Sequence, residues 1–518
     1  MEIVLIISVL AVIIAVFSAF TKHKALDRLK KENAELRRQS NAVPPARDAG
    51  LTGSNIQDKP VRRNIGAGAL PDDFECTDEF KTAFTIMEHT RHSLFITGKA
   101  GTGKSTLIEY FRRHTNKQVV YLAPTGIAAL HIGGKTIHSF FQFKPRLIKK
   151  SEITVIKKQA DLFKAIEAVV IDEVSMVRAD VMAGVDYSLR VNRGRDEPFG
   201  GVQMIFVGDL YQLPPVVDKE LEKWFHNDDD YRSPWFFDAR IHDNPGWFYT
   251  SVGYFELQRI FRQDEEKQKQ FIDILNALRV NKISDERLAL LNTRFKKGYA
   301  DNPVPNEIRQ TICTKNTQAN ETNDRKLNEL PTEKHTYIAT ITDHFMKEKP
   351  TLPELDLKVG AQIMMVKNDD KKRWVNGSLG IVQELDDNHI AVAIDGIRYD
   401  VERATWEDIK YRYNRETKEI TEEAAGTFTQ YPLKLAWAFT IHKSQGQTFD
   451  KVLIKPEGAW EFGQIYVAVS RCTSLEGIIL DTPIRTVDIK ASPEVQSFIS
   501  TLQRNTLAET TPARQKTI

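Results

Sequence analysis

Gly98, four intervening residues and then Gly103-Lys104-Ser105 give the spacing of a loop that wraps a triphosphate. The cradle runs through Gly98, Ala100, Gly101, Thr102, Gly103, Lys104, Ser105 and Thr106. Its glycines let backbone N–H groups approach phosphate oxygens where a side chain would stand in the way. Lys104 has the reach for the β- and γ-phosphates, and the Ser105 hydroxyl suits a Mg²⁺ ion. Asp172 and Glu173 close an apolar run, where an adjacent carboxylate pair is costly to bury without work to do. Asp172 suits the Mg²⁺ shell, and Glu173 suits orienting and deprotonating an attacking water. Gln212, after Gly208-Asp209, offers an amide that can report the presence of a γ-phosphate. Phosphoryl transfer also needs cations at the transition state, and the candidates are Arg262 in "ELQRIFRQ" and Arg471 in "YVAVSR". The predicted reaction is ATP hydrolysis with ATP and Mg²⁺ as cofactors.

Positioning these groups takes a sheet. Four short apolar runs, Leu94–Ile96, Val119–Ala123, Ala168–Ile171 and Met204–Val207, each lead into a polar cluster. Strand-like runs alternating with helical segments predict a parallel sheet covered on both faces. Ligands bind at the carboxyl ends of such strands, so the four clusters should converge. If Arg262 and Arg471 belong to a second domain, the nucleotide lies in a cleft that hydrolysis opens and closes.

The chain has 518 residues, enough for three or four domains. Its 41% hydrophobic and 27% charged residues are those of a globular protein. A net charge of +2 requires any nucleic-acid surface to be a local groove. Cys76, Cys313 and Cys472 are widely separated, which supports neither a zinc site nor a disulfide framework. Ile3–Phe20 has no charged residue, and Lys22, Lys24, Arg28, Lys30 and Lys31 follow it. Length and charge order predict a single-pass anchor over residues 3–21 in membrane lipid, with the catalytic part in a bacterial cytoplasm. Residues 22–40 read as a basic helix near the headgroups or, equally, as a short coiled coil pairing two chains through residues 25–37. Residues 41–73 read as a flexible linker and 503–518 as a disordered tail.

Taken in order, the clusters "GKAGTGKST", "APTGIAALHIGGKTIHSFF", "VVIDEVSMV", "VGDLYQLPPV", "ELQRIFRQ", "LKVGAQIMMVKN", "VNGSLGIV", "LAWAFTIHKSQGQTFD" and "YVAVSRCTS" resemble the PIF-type and RecD-like helicases of superfamily 1B. The resemblance implies an α/β fold of two RecA-like P-loop domains in tandem. The first would span 74–255 with a wedge insert at about 142–167. The second would span 256–342 and 431–490, interrupted by a small β-barrel at 343–430. It implies ATP-driven 5′-to-3′ translocation on single-stranded DNA and opening of 5′-tailed duplexes. Thr125, His138, Ser139, Phe140, Thr440, His442 and Lys443 would then lie along the DNA track. Two alternatives stay open: a tethered ATPase switch or scaffold that does not unwind, and RNA as the track. One departure stands out. The family's adenine-holding glutamine before the phosphate loop is missing, since no Gln occurs between Gln57 and Gln118.

Overall fold

The computed structural model describes residues 70, 74–144, 146–217, 221, 222, 224, 225, 231–260, 265–299, 310–342, 345, 349–414 and 416–510. The first lobe is built on β1 (Leu94–Gly98), β2 (Val119–Ala123), β3 (Lys135–Thr136), β4 (Ala168–Ile171), β5 (Gln203–Val207) and β6 (Gly253–Leu257). They form one parallel sheet in the order β3-β2-β4-β5-β1-β6. The continuous apolar runs are explained by two-sided burial. Phe95, Val169, Ile171 and Phe206 feed one core, while Leu94, Ile96, Val170, Ile205 and Val207 feed the other. Helices α1 (Asp78–His89), α2 (Lys104–His114), α3 (Ile137–Phe141) and α4 (Ala179–Arg193) cover it. The Thr77 hydroxyl caps α1 by accepting the Phe80 N–H at 3.2 Å.

The second lobe opens with α5 (Glu265–Arg279) and β7 (Thr311–Cys313). The chain then leaves it for an antiparallel insert. β8 (Lys334–Ile338) and β10 (Glu354–Lys358) pair, and β9 (Thr340–Ile341) lies between them in sequence. A five-stranded sheet follows from β11 (Gln362–Met365), β12 (Leu379–Leu385), β13 (Ile390–Ile394), β14 (Ile397–Val401) and, after a long hairpin, β17 (Leu433–Leu435). The hairpin, β15 (Ala404–Asn414) and β16 (Glu419–Gln430), pairs with β9 and reaches the first lobe. There the Tyr121 N–H donates to the Tyr411 hydroxyl at 3.2 Å, and the Ile420 N–H donates to Gln118 Oε1 at 2.7 Å. Back in the second lobe, β18 (Ala438–Thr440), β19 (Val452–Ile454) and β20 (Ile478–Leu480) complete a parallel sheet in the order β18-β7-β19-β20. Helices α6 (Ile441–Ser444) and α7 (Gln464–Val469) cover its cleft side, and α8 (Pro493–Thr510) returns to the first lobe. There Phe498 stacks on Phe237 with ring centroids 4.2 Å apart.

Several expectations are corrected. The insert begins with β8 and ends with β17, wider than 343–430, and its long hairpin departs from a compact barrel to strap the first lobe. β6 belongs to the first sheet, so that lobe extends to Leu257. The wedge segment 142–167 consists of short 3₁₀ turns and one brief helix, Ala160–Ala165. It is pinned to α4, where Asp180 and Asn192 accept the Ile148 and Ile156 N–H groups at 2.9 and 2.6 Å. Residues 503–510 are helical because a buried stripe, Val495, Phe498, Ile499 and Leu502, anchors α8.

The expected membrane location is also corrected. Among the described residues, no helix is long and apolar enough to cross a membrane. Among the described residues, the strands of the two parallel sheets are two to five residues long, and helices as long as α4 and α8 carry charged or polar faces. Residues 3–21, 22–40 and the pairing segment 25–37 lie outside the described residues, as does nearly all of the 41–73 linker.

Candidate active site between two parallel sheets

β1 ends at Gly98, and the loop over residues 99–103 feeds α2. Gly103, just before the helix, sits at φ +81°, a left-handed turn that a side chain would strain. Thr102 is buried, and its hydroxyl donates to the Lys99 carbonyl at 3.0 Å. It therefore braces the loop from within. Lys104 Nζ donates to the Gly98 and Lys99 carbonyls at 2.7 and 3.1 Å. Burial pulls its pKa below the ordinary value, while Asp209, Glu173 and Asp172 oppose that pull. The Ser105 hydroxyl, one residue on, is exposed.

Asp172 and Glu173 stand at the end of β4, as the sequence predicted. Burial, reinforced by the neighbouring Glu173 charge, pushes the Asp172 carboxyl up to about 7. Burial raises Glu173 as well, against Lys104 and Arg471. Burial that disfavours two adjacent negative charges is a cost that a bound cation would relieve. Gln212 lies on the loop after β5. Gln445 Nε2, from the segment after α6, donates to both Glu173 Oε2 and Gln212 Oε1 at 3.0 Å each. This amide bridges the two sheets across the site. Its own Oε1 is buried without a hydrogen-bond partner among the described residues, an acceptor left over beside the carboxylate.

Arg471 follows α7 and is 2% exposed. Its guanidinium donates to the carbonyls of Val467, Gln447 and Ser444 at 3.0, 3.1 and 3.4 Å, and to the Ser470 hydroxyl at 2.8 Å. The second lobe thus delivers a pre-aimed cation to Glu173. A cavity of about 430 Å³ runs along the phosphate loop and is bounded by Glu173, Gln212, Gly446 and Arg471. That volume falls within the range of small-molecule sites. Phe74, Glu75 and Phe80 also line it, so aromatic rings and a carboxylate reach the cavity from the segment before the phosphate loop that lacks a glutamine. Arg262, the other predicted finger, lies outside the described residues.

The lobes meet tightly beside this cavity. Gly463, at φ +73°, caps α7, and a Cβ there would lie 2.3 Å from the Gln212 carbonyl oxygen. Gly463→Ala is expected to force the lobes apart at Gln212. It should lower ATP turnover more than tenfold, since a displacement of about 1 Å near a catalytic centre can cost about 10²-fold. Steady-state kinetics beside a melting curve will separate that from unfolding.

The predicted DNA residues divide. Thr125 and Thr440 occupy similar places, Thr125 just after β2 and Thr440 at the end of β18, each capping the next helix. Their hydroxyls accept the Ala128 and Lys443 N–H groups at 3.2 and 3.4 Å, and Thr440 is buried. His138 is half-buried with its ring edge-on to Phe143, and burial lowers its pKa. Ser139 is half-buried and its N–H is accepted by the Thr136 hydroxyl. His442 Nε2 lies 3.3 Å from Glu461 Oε2, and Lys443 is exposed. Phe140 is a correction. It is 3% exposed, packed among Phe141, Phe163 and Tyr411, and cannot stack on a base. Phe140→Ala should destabilise the first lobe by about 3–5 kcal/mol. It should leave single-stranded DNA affinity unchanged below the melting transition, as a fluorescence-anisotropy titration would show.

Sequence reasoning quoted "VGDLYQ" and "HKSQGQT" but assigned no role to Asp209 or Gln445. It likewise gave no role to Tyr466, the first residue of "YVAVSR", or to Phe80, and passed over Arg279, Phe74 and Glu75 entirely. A polar residue inside each quoted cluster was the available signal for the first two.

A family profile described as PIF1-like helicase matches residues 77–288, and one described as the DNA helicase Pif1 2B domain matches residues 348–385. The ATP-dependent DNA helicase Pif1 of Bdellovibrio bacteriovorus is 30% identical over 433 residues, covering 80% of this chain and 90% of that relative. Across the curated relatives the chain spans from 61% to 90% of their length. The crystal structure of Bacteroides sp Pif1 in complex with ADP-AlF4 superposes with a TM-score of 0.75 at 36% identity, covering 85% of this chain and 98% of that one. Bacteroides Pif1 bound to single-stranded DNA superposes at 0.61, also at 36% identity, over 84% and 98% of the two chains. A phosphate loop, an acidic pair and an arginine facing one another across two parallel sheets, within a chain so matched, make this protein a member of the PIF1-like helicase family and an ATP-hydrolysing DNA helicase.

Proposed function

We propose that the chain moves 5′-to-3′ along single-stranded DNA, driven by Mg²⁺-dependent ATP hydrolysis, and separates 5′-tailed duplexes. The observation that carries this reading is the Gln445 bridge to Glu173 and Gln212, because it makes hydrolytic geometry depend on how the lobes meet. The DNA-bound Bacteroides relative supports single-stranded DNA as the track.

Each residue has a role in this reading. Lys104 leaves the Gly98 and Lys99 carbonyls for the triphosphate. Ser105 and Asp172 are the residues that would hold Mg²⁺, which supplies charge neutralisation at the phosphates. Glu173 takes the proton of the attacking water, and burial, by raising its pKa, makes it a stronger base for that role. Gln212 senses the terminal phosphate, and Arg471 stabilises charge on the departing phosphoryl group. Thr125, His138, Ser139, Thr440, His442 and Lys443 supply hydroxyl, imidazole and ammonium groups suited to phosphates, which position a strand without reading its sequence.

The test uses ATPase and unwinding together. Single-stranded DNA should stimulate hydrolysis, and duplexes with 5′ tails should open while those with 3′ tails should not. Opening only from 3′ tails would reverse the polarity. Hydrolysis indifferent to DNA would favour the switch alternative, and stronger stimulation by RNA of the same sequence would change the track.

A further inference from the structure

A buried ionic cluster joins the lobes beside the phosphate loop, and the hydrolytic roles above do not use it. Asp209, just beyond β5 in the first lobe, is fully buried with the two lobes together. Arg279, the last residue of α5 in the second lobe, donates to Asp209 Oδ1 from Nε at 3.2 Å and from Nη2 at 3.0 Å. The guanidinium lies over the Tyr211 ring at 4.6 Å and approaches Glu256 at 3.5 Å. Tyr466 of α7 donates its hydroxyl to Asp209 Oδ2 at 3.0 Å. The backbone of Ala100, in the phosphate loop itself, lies beside the same phenol.

We propose that Asp209, Arg279 and Tyr466 form an interlobe joint that positions the phosphate loop and releases Lys104 to the triphosphate only when the lobes are shut. The joint deepens, and rests on, the nucleotide reading of the cavity given above. Its logic is competition for one buried negative charge. With the lobes shut, the fork of Arg279 and the Tyr466 hydroxyl occupy both carboxylate oxygens. If the second lobe withdraws, it carries both away, and the next cation available to Asp209 is Lys104. A carboxylate stripped of its fork and phenol attracts the nearest remaining cation, so Lys104 would turn to Asp209 and leave the phosphates. Burial alone would raise the Asp209 carboxyl, yet Arg279 and Lys104 together hold it below its ordinary value, as competition between two cations requires. A packing role alone would be served as well by apolar side chains of similar volume. The chain instead keeps a charge, a fork and a phenol here, the phenol lying beside the phosphate loop. These are positioning residues, since they act through Lys104 and Ala100.

Two variants of the full chain test the joint. Tyr466→Phe removes one hydroxyl with little risk to folding. It should lower the DNA-stimulated kcat about tenfold, with KM for ATP changed less than about threefold. The double variant Asp209→Asn with Arg279→Gln replaces the ion pair by amides that can bond each other. It should melt within a few degrees of wild type and still lose about tenfold in kcat. Wild-type turnover in Tyr466→Phe, or recovery of kcat together with melting temperature in the double variant, would overturn the joint while leaving the nucleotide site intact. A loss confined to KM would overturn it too. Absence of hydrolysis by the wild-type chain would overturn the nucleotide reading and the joint together.

Discussion

Lysine at Arg471 is expected to lower ATP turnover by about 10³-fold, the lower bound for removing an arginine finger. The guanidinium is held by three backbone carbonyls and the Ser470 hydroxyl, so it arrives at the cavity already oriented. Lysine keeps the charge but has neither the planar fork nor the five donors needed to hold that aim. Alanine would add a second effect, because it leaves buried carbonyls without donors, and for that reason lysine is the cleaner probe. Half-saturation by ATP should move less than about threefold, since the interaction is made chiefly in the transition state. Equal losses in turnover and in ATP affinity would contradict the finger role. A melting curve within a few degrees of wild type will show that the lobe itself is intact.

The second large effect is at Lys104. Lys104→Ala should abolish measurable hydrolysis, a fall of at least about 10³-fold, and leave single-stranded DNA binding within a few fold of wild type. The ammonium lies among Asp172, Glu173 and Asp209, and it is the charge that all three carboxylates share. Removing it takes away the cation for the phosphates and also lets two already raised carboxyls rise further. The loss should therefore persist at saturating ATP. Recovery of turnover at high ATP would show that Lys104 contributes only to ground-state binding.

The elements that hold these groups were legible to different degrees. Leu94–Ile96, Val119–Ala123, Ala168–Ile171 and Met204–Val207 read directly as strands, because two-sided burial leaves a continuous apolar signature. The polar cluster after each run was also legible, since chemistry at the strand ends follows from the parallel sheet. What failed to show was pairing across distance. Gln445 and Glu173 are 272 residues apart, and Arg279 and Asp209 are 70 apart. Each reads alone as an ordinary surface residue, because only the fold supplies its partner. Phe140 misled for the opposite reason. It sits among residues that suit a DNA track, but the apolar trio Ile137, Phe140 and Phe141 faces the core. The tail misled through composition, since four well-spaced apolar residues in α8 outweigh the polar residues around them.

The return of α8 to the first lobe has a mechanical consequence. The polypeptide passes from the first lobe to the second after Leu257 and comes back before Pro493, so the two bodies are hung on two covalent straps. A single strap would permit twisting as well as swinging. Two of them, one anchored by the stacked rings of Phe498 and Phe237, favour rotation about one line, like a door on a pair of hinges. Each cycle of such a machine would repeat the same small arc, a property suited to advancing along a polymer in uniform increments.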